Sequence, residues 1–252
     1  MPNTMPNTQS LIPGFHGVRE ALLNGDPAIR EIWVASGKRP GRAGEIFRLA
    51  KKMDIPVSFK HSTDMDRCLP NTVHQGIVGV TEAFAYTDLE QVMEKALQDD
   101  IYGLIVVADH IADQGNLGSL IRTSAFFGAH GIVLPADRSA RIGPDMRKRS
   151  AGASVHIPVA KVVNIARTLE LLTKKGFWII GTSGQASTSI YQFDWNRHVV
   201  LVMGNEQKGV SRAALKWCHE IVAIPAQSEV ESLNVSVSAG AILSEIVRQR
   251  NG

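Results

Sequence analysis

Three short segments of the sequence carry amide, carboxylate, hydroxyl and guanidinium groups that could handle a substrate hydroxyl. The segments are D-H-I-A-D-Q-G-N-L-G-S-L-I-R-T (109–123), M-G-N-E-Q-K-G-V-S (203–211) and I-P-A-Q-S-E-V-E-S-L-N (224–234). The side chains of interest are Asn116, Arg122, Glu206, Ser232 and Asn234. Groups of these types orient a hydroxyl, accept its proton or bind a neighbouring phosphate. The three segments are therefore candidate ligand-binding loops.

Each segment also has a plainer interpretation when it is taken alone. Arg122 is then a solvated helix residue after an N-capped turn, Glu206 lies in a solvated turn, and Ser232 caps the helix that follows. Other chemistries lose support because their motifs are absent. The sequence contains no G-x-G-x-x-G after the first strand, no G-x-x-x-x-G-K-[ST], no G-x-S-x-G and no H-x-x-x-H pair. These absences count against nicotinamide enzymes, P-loop NTPases, serine hydrolases and zinc enzymes.

From residue 101 onward, apolar runs alternate with amphipathic segments. The predicted strands are 101–108, 131–135, 177–182, 199–204 and 220–225, and the predicted helices lie within 115–129, in 164–175 and after 234. Continuous apolar strands are typical of a parallel sheet covered on both faces, and their alternation with helices predicts an α/β fold. Ligands of such sheets bind at the carboxyl ends of the strands. All three segments follow predicted strands and therefore lie at that edge.

The N-terminal part predicts a second, smaller α/β domain. Its predicted helices are 15–24 and 43–53, and its predicted strands are 31–35, 56–59 and 74–81. We expect this domain at 11–83, an acidic linker that contains a helix at 84–100, and the larger domain at 101–252.

Composition excludes two broad classes of protein. No run of about 18 apolar residues occurs, so no transmembrane span is expected. The first ten residues have neither a basic nor an apolar region of a secretion signal and are expected to be a disordered tail or a start-site artefact. Cys68 and Cys218 lie far apart without metal-like spacing, and we expect reduced core thiols in a cytoplasmic protein.

The last predicted helix has an unusual composition. Val235, Ala239, Ile242 and Ile246 recur at helical spacing, yet small residues with weak helix propensity surround them. Ser236, Gly240 and Ser244 lie four residues apart on one face, and the family resemblance given below implies that they let another backbone or helix pass close.

The charge distribution suggests a polyanionic partner. The net charge is +3, and residues 101–252 carry 16 basic against 11 acidic side chains. Two basic clusters are candidate phosphate contacts, with a solvated charged face as the alternative. The clusters are Arg138, Arg141, Arg147, Lys148 and Arg149 in the larger domain and Lys38, Arg39 and Arg42 in the smaller one. Because aromatic residues are few, recognition by shape and backbone is expected more than base stacking.

Taken together, the motifs N-L-G-S-L-I-R-T, L-V-M-G-N-E-Q-K-G-V-S and I-P-…-S-L-N-V-S-V-S-A-G-A-I-L-S-E resemble, in order and spacing, those of the SpoU (TrmH-like) RNA ribose 2′-O-methyltransferases. The resemblance covers nearly all of 101–252. G-F-H-G-V-R-E-A-L (14–22) and H-Q-G-I-V-G-V (74–80) resemble the ribosomal-protein-like substrate-binding domain of that family. The layout is most similar to that of bacterial 23S rRNA guanosine-2′-O-methyltransferases.

The resemblance implies a parallel-sheet domain with a deep trefoil knot, a homodimer formed through that domain, and S-adenosylmethionine as methyl donor. It implies that Arg122 lies beside the ribose hydroxyl as general base, oriented with the ribose by Asn116 and Glu206, while Ser232 and Asn234 hold the substrate and the loop. Because a guanidinium normally stays protonated, phosphate binding by Arg122 is the alternative. The cofactor would be held mainly by backbone, at Thr182, Ser183, Gly184, Gly204, Ile224 and Leu233.

The implied function is methylation of a guanosine ribose in 23S rRNA, with no metal. Methylation of tRNA or of another rRNA site, including one that confers antibiotic resistance, and a non-catalytic RNA-binding role are the alternatives. One departure from the family pattern concerns the first motif, which reads D-Q-G-N where Asp-Pro often precedes the asparagine. A looser turn is therefore expected at Gln114–Gly115.

Overall fold

The structure is a computed structural model, and it describes residues 11–23, 29–37, 43–81, 84, 86–98, 102–137, 157–228 and 232–252. The chain divides into two compact units, with the boundary between residues 85 and 86.

The first unit is a four-stranded sheet with helices. Its elements are β1 (Leu11–Pro13), α1 (Gly14–Leu23), β2 (Ile29–Ala35), α2 (Ala43–Lys52), β3 (Val57–Lys60), α3 (Ser62–Cys68) and β4 (Ile77–Thr81). The strand order is β1-β4-β2-β3, with β2 and β3 parallel and the other pairs antiparallel. Two apolar clusters cover the sheet, one centred on Ile32 and Ile46 and the other on Trp33 and Met65. Every helix and strand predicted for this part is present, and β1 and α3 are additions.

The second unit is a seven-stranded parallel sheet with helices, as the apolar runs predicted. Its elements are α4 (Leu89–Gln98), β5 (Leu104–Asp109), α5 (Gln114–Phe126), β6 (Gly131–Pro135), β7 (Val159–Val162), α6 (Ile165–Lys174), β8 (Trp178–Thr182), β9 (Thr188–Ser189), β10 (Val199–Gly204), α7 (Arg212–Leu215), β11 (Glu220–Ala223) and α8 (Val235–Asn251). The strand order is β7-β6-β5-β10-β8-β11-β9.

Strands β5 and β10 form the centre of this sheet and position the loops that follow them. Every residue of both strands is buried, as expected for strands covered on both faces. Their parallel register aligns Gly204 with Asp109, the last residue of each strand. The first and second motif loops therefore leave the sheet side by side.

Helix α4 belongs to the core of the second unit, although its segment was predicted as a linker. Val92, Met93 and Ala96 are buried in the main apolar cluster of this unit. Two glycines permit the close packing, because a Cβ on Gly103 would lie 2.2 Å from the Ala96 carbonyl oxygen and one on Gly131 would lie 2.4 Å from Val92 Cγ1. The helix in the predicted linker therefore supports the sheet.

Helix α8 closes the second unit and is fastened near its end by Arg250. The guanidinium donates to four backbone carbonyls in the segments that precede β5 and β10. The acceptors are the carbonyl oxygens of Tyr102, Gly103, Trp195 and Arg197. Burial lowers the pKa of Arg250 to about 10, which still leaves it protonated at neutral pH.

The small residues of α8 are not crowded by the described part of this chain. A Cβ on Gly240 would meet only Thr123 Cγ2, at an ordinary 3.7 Å. Helix α5 therefore packs beside α8 at Gly240, as expected for this face of small residues, although without a contact so tight that only glycine would fit. Ser236 and Gly240 are half-buried, and Ser244 and Val237 are exposed.

Candidate active site

A line of hydrogen bonds joins the three motif segments at the carboxyl edge of the second unit's sheet. Asn116 Nδ2 donates to Glu206 Oε1 at 2.7 Å. Asn234 Nδ2 donates to Asn116 Oδ1 at 2.8 Å. The line thus connects residues separated by as many as 118 positions in sequence. Three of the five side chains predicted to do chemistry meet here.

The direction of every bond in this line is set by its two ends. Glu206, when ionised, can only accept, so Asn116 must turn its NH₂ group toward it. At the other end, Asn234 Oδ1 accepts from the backbone N–H of Ser236 at 2.9 Å and from its hydroxyl at 2.6 Å. Since a backbone N–H can only donate, the Asn234 NH₂ group is left for Asn116 Oδ1. Both amides are therefore held in one orientation.

The helix caps that hold this line differ from those expected. Asn234, not Ser232, is the N-cap of α8. Helix α5 begins at Gln114, so Asn116 lies in its first turn, where its N–H donates to Asp113 Oδ1 at 2.7 Å. The looser turn expected at Gln114–Gly115 is absent because Asp113 caps the helix. The sequence analysis did not select Asp113, although an aspartate directly before a helix is a common N-cap.

The turn that carries Glu206 is braced by its neighbours. Asn205 and Gly209 exchange both backbone hydrogen bonds, and Asn205 Nδ2 donates to the His110 carbonyl oxygen at 2.9 Å. Gly204 gives the turn room, because a Cβ there would lie 2.2 Å from the Gly209 carbonyl carbon. Gly204 thus has a structural reason to be glycine.

The buried carboxylate of Asp109 anchors the same turn at its far end. Asp109 is fully buried, and its Oδ2 accepts the Ser211 N–H at 2.7 Å. Its Oδ1 lies 2.6 Å from His110 Nδ1. Asp109 and Asn205 are framework residues that sequence analysis missed, because their roles depend on contacts between loops distant in sequence.

Arg122 and Ser232 lie in the elements of the site but outside the hydrogen-bonded line. Arg122 is exposed on α5, two turns after Asn116, and it makes no hydrogen bond or ion pair within the part of the chain that the structure describes. Ser232 is exposed just before α8. Both side chains are open to a ligand.

The residues predicted to hold a cofactor follow three neighbouring strands. Thr182 and Gly204 end β8 and β10, and Ile224 follows β11. Thr182 Oγ1 donates to the Val202 carbonyl oxygen at 3.0 Å, which ties the ends of β8 and β10 together. Ser183 and Gly184 lie exposed in the next turn, and Leu233 is 51% exposed.

Both predicted basic clusters, 138–149 and 38–42, lie outside the described residues. Within the described ranges, no group of three histidine, cysteine or acidic side chains is arranged to hold a metal. No helix among the described residues is both long and apolar enough to cross a membrane.

Comparison with known proteins identifies the class to which this fold and site belong. Residues 103–244 match the model of the SpoU rRNA Methylase family, and residues 11–87 match the model for RNA 2′-O ribose methyltransferase substrate binding. The chain therefore belongs to the SpoU rRNA methylase family.

Relatives and solved structures resemble the chain along most of its length. The 23S rRNA (guanosine-2′-O-)-methyltransferase RlmB of Pseudomonas putida is 36% identical over 95% of this chain and 96% of its own. The SpoU methyltransferase AviRb of Streptomyces viridochromogenes superposes with a TM-score of 0.63 at 25% identity, covering 96% of this chain and 89% of its own. AviRb has also been solved in complex with the cofactor AdoMet.

A third relative matches only part of the chain. The TrmH/SpoU tRNA modifying enzyme of A. aeolicus has a TM-score of 0.55 and 30% identity, and it covers 65% of this chain and 81% of its own.

Proposed function

We propose that this chain transfers a methyl group from S-adenosylmethionine to the ribose 2′-OH of a guanosine in 23S rRNA. The observation that carries the proposal is the line Glu206–Asn116–Asn234, which unites the three motif segments at one edge of the sheet. The likeness to RlmB spans nearly the whole chain, whereas the tRNA-modifying relative aligns with 65% of it. An rRNA substrate is therefore favoured over tRNA.

The exposed strand ends suit the proposed cofactor. A purine needs hydrogen-bonding groups at its edge and apolar surface at its face, and the open turn at Ser183–Gly184 and the half-exposed Leu233 offer these. We assign this role to the backbone of Thr182, Ser183, Gly184, Gly204, Ile224 and Leu233. When bound, S-adenosylmethionine supplies a methyl group that its sulfonium already activates.

Arg122 is assigned to the ribose and the phosphate next to it. Its guanidinium is exposed, and since guanidinium groups stay protonated in proteins, it is better suited to bind a phosphate and polarise the 2′-OH than to remove the proton. Asn116 and Glu206 would hold the ribose in a fixed orientation, which lowers the barrier by positioning the nucleophile. Ser232 and Asn234 would contact the substrate from the start of α8.

The remaining assignments concern architecture and partners. We propose that residues 101–252 contain a trefoil knot and pair with a second copy. The exposed Val237 and Ser244 on α8 suit such a contact. We assign the basic residues at 138–149 and 38–42 to contacts with rRNA phosphates. We also propose that the protein acts in the cytoplasm.

The first test maps ribose methylation in total RNA from cells with and without the gene. Loss of a 2′-O-methyl group from one guanosine of 23S rRNA is the expected result. A change in tRNA would refute the substrate and keep the chemistry. If no position changes and the purified protein binds no S-adenosylmethionine, a non-catalytic RNA-binding role replaces the proposal.

A second test isolates Arg122. The variant Arg122→Lys keeps the charge and loses the planar fork. We expect almost complete loss of methyl transfer with unchanged affinity for S-adenosylmethionine, measured by calorimetry. Normal turnover by this variant would remove Arg122 from the mechanism.

A further inference from the structure

An open apolar cavity lies on the first unit, next to the edge strand β3. Its volume is about 460 Å³, within the range of roughly 300–1,000 Å³ that ligand sites occupy. The cavity is lined by Phe47, Lys51, Asp54, Ile55, Pro56 and Val57. We infer that this cavity receives an unpaired nucleobase of the RNA substrate, and this inference rests on the proposed function.

Phe59 extends the apolar wall of the cavity into solvent. It lies two residues after Val57 on β3, so both side chains are on the same face of the strand. The Phe59 ring lies 6.1 Å from the Phe47 ring, and 65% of the side chain is exposed. An uncovered aromatic ring beside a cavity offers a π-face on which any base can stack.

The charges around the cavity favour RNA over a protein segment. Residues 48–61 carry Arg48, Lys51, Lys52 and Lys60 against the single acidic Asp54. Lys51 and Lys52 are exposed at the end of α2, whereas the Lys60 amine lies over the Trp33 ring at 5.6 Å. Two lysines are therefore placed to bind the phosphates that flank a stacked base.

Asp54 helps to decide which part of a nucleotide enters. Its carboxylate lines the cavity and repels a phosphate there, while it can accept hydrogen bonds from the N–H groups of a base. Phosphates are thus directed to the lysines and the base to the cavity. The match of residues 11–87 to a substrate-binding model agrees with an RNA contact on this unit. The site adds base stacking to the recognition by shape expected from the low aromatic content.

The test measures binding of the full-length protein to a short unpaired RNA oligonucleotide by fluorescence anisotropy. Phe59→Ala should weaken binding by about 5- to 150-fold, the range for loss of one base–aromatic stack, and Phe59→Trp should retain it. Val73→Ala is the matched control, because Val73 is 82% exposed on the same unit and does not line the cavity. Lys51→Ala should reduce the salt dependence of binding by about one phosphate contact.

Turnover supplies a second readout. In Phe59→Ala the KM for rRNA should rise by the same factor as the dissociation constant, while kcat at saturating RNA stays unchanged. Phe59→Ala binding RNA as tightly as Val73→Ala overturns the inference and leaves a protein as the better occupant of the cavity. If the wild type itself neither binds RNA nor transfers a methyl group, the proposed function fails instead.

Discussion

The fixed direction of the hydrogen bonds between Glu206, Asn116 and Asn234 predicts a specific rescue. In Asn116→Asp, residue 116 can no longer donate a hydrogen bond to Glu206. The two carboxylates then face each other where the wild type has a hydrogen bond of 2.7 Å. The lost charge-assisted bond is worth about 1.5–3 kcal/mol when buried, but this one is solvent-exposed and is discounted to about 1 kcal/mol. Because the pair is solvent-exposed, repulsion between like charges about 4 Å apart adds about 1 kcal/mol, the value in bulk water.

We therefore expect Asn116→Asp to lose about 1–3 kcal/mol of stability, or roughly 2–4 °C in Tm for each kcal/mol. Methyl transfer should fall by about 10- to 100-fold, because each 1.4 kcal/mol of lost positioning is about tenfold in rate. Part of the loss should recover at acidic pH, where a proton shared by the two carboxylates restores a donor.

The double variant Asn116→Asp with Glu206→Gln should restore the line of hydrogen bonds, with the negative charge on residue 116 instead of residue 206. The amide introduced at position 206 can then donate to the carboxylate introduced at position 116, which still accepts from Asn234. Thermal melting and transfer of labelled methyl groups to an rRNA fragment would compare the wild type, both single variants and the double variant. Wild-type behaviour of Asn116→Asp, or a double variant no more stable than Asn116→Asp, would show that the direction of these hydrogen bonds is not fixed.

Three further predictions concern the framework. Gly204→Ala should open the turn after β10, since its Cβ would overlap the backbone of Gly209 and Val210, and should lower stability by about 1–3 kcal/mol as measured by urea unfolding; an unchanged midpoint would contradict the crowding. Hydrogen bonds from Arg248 and then Gln249 lower the pKa of Glu245 to about 2, so its stabilising contribution should be lost as pH falls from about 4.5 to about 2. The free energy of unfolding of Glu245→Gln should depend less on pH over that range than that of the wild type. An equal dependence on pH in both proteins would be evidence against this role of Glu245. Burial, with the nearby Asp109 carboxylate, raises the pKa of Cys218 to about 11, so iodoacetamide should alkylate this thiol slowly at neutral pH until the protein is unfolded, and rapid native labelling would show the opposite.

The central strands of the second unit were predictable because burial on both faces of a sheet requires an apolar residue at nearly every position. Strands β6 and β10 have the bounds predicted from their apolar runs, since a strand covered on both faces is apolar throughout. The edge strands β7 and β9 and the polar helix α3 were missed because they are only four, two and seven residues long, too short to show a clear apolar period. The helix in the predicted linker was expected, but its place in the core depends on contacts with Gly103, just before β5, and with Gly131 of β6.

The sequence supplied candidate residues for the site, and the fold brings three of them together in an arrangement that the sequence did not predict. The loops that carry Asn116, Glu206 and Asn234 were selected because each follows a strand that ends at the same edge of a parallel sheet. The roles of these side chains came from the resemblance to the SpoU family. Which amide donates to which acceptor depends on a carboxylate and a backbone N–H brought together only by folding. Arg122 and Ser232 stand apart from that line, so their positions relative to a ribose stay predictions.

The position of Arg250 has a consequence for the timing of folding. The carbonyls that it binds lie just before β5 and just before β10, the two central strands of the sheet. During synthesis, β5 leaves the ribosome more than a hundred residues before Arg250, so these carbonyls wait for one of the last residues of α8. Domains fold as units once their chain is available. The methyltransferase unit should therefore reach its final stability only once Arg250 is free to fold onto it, and truncated chains that end before residue 250 should remain sensitive to protease.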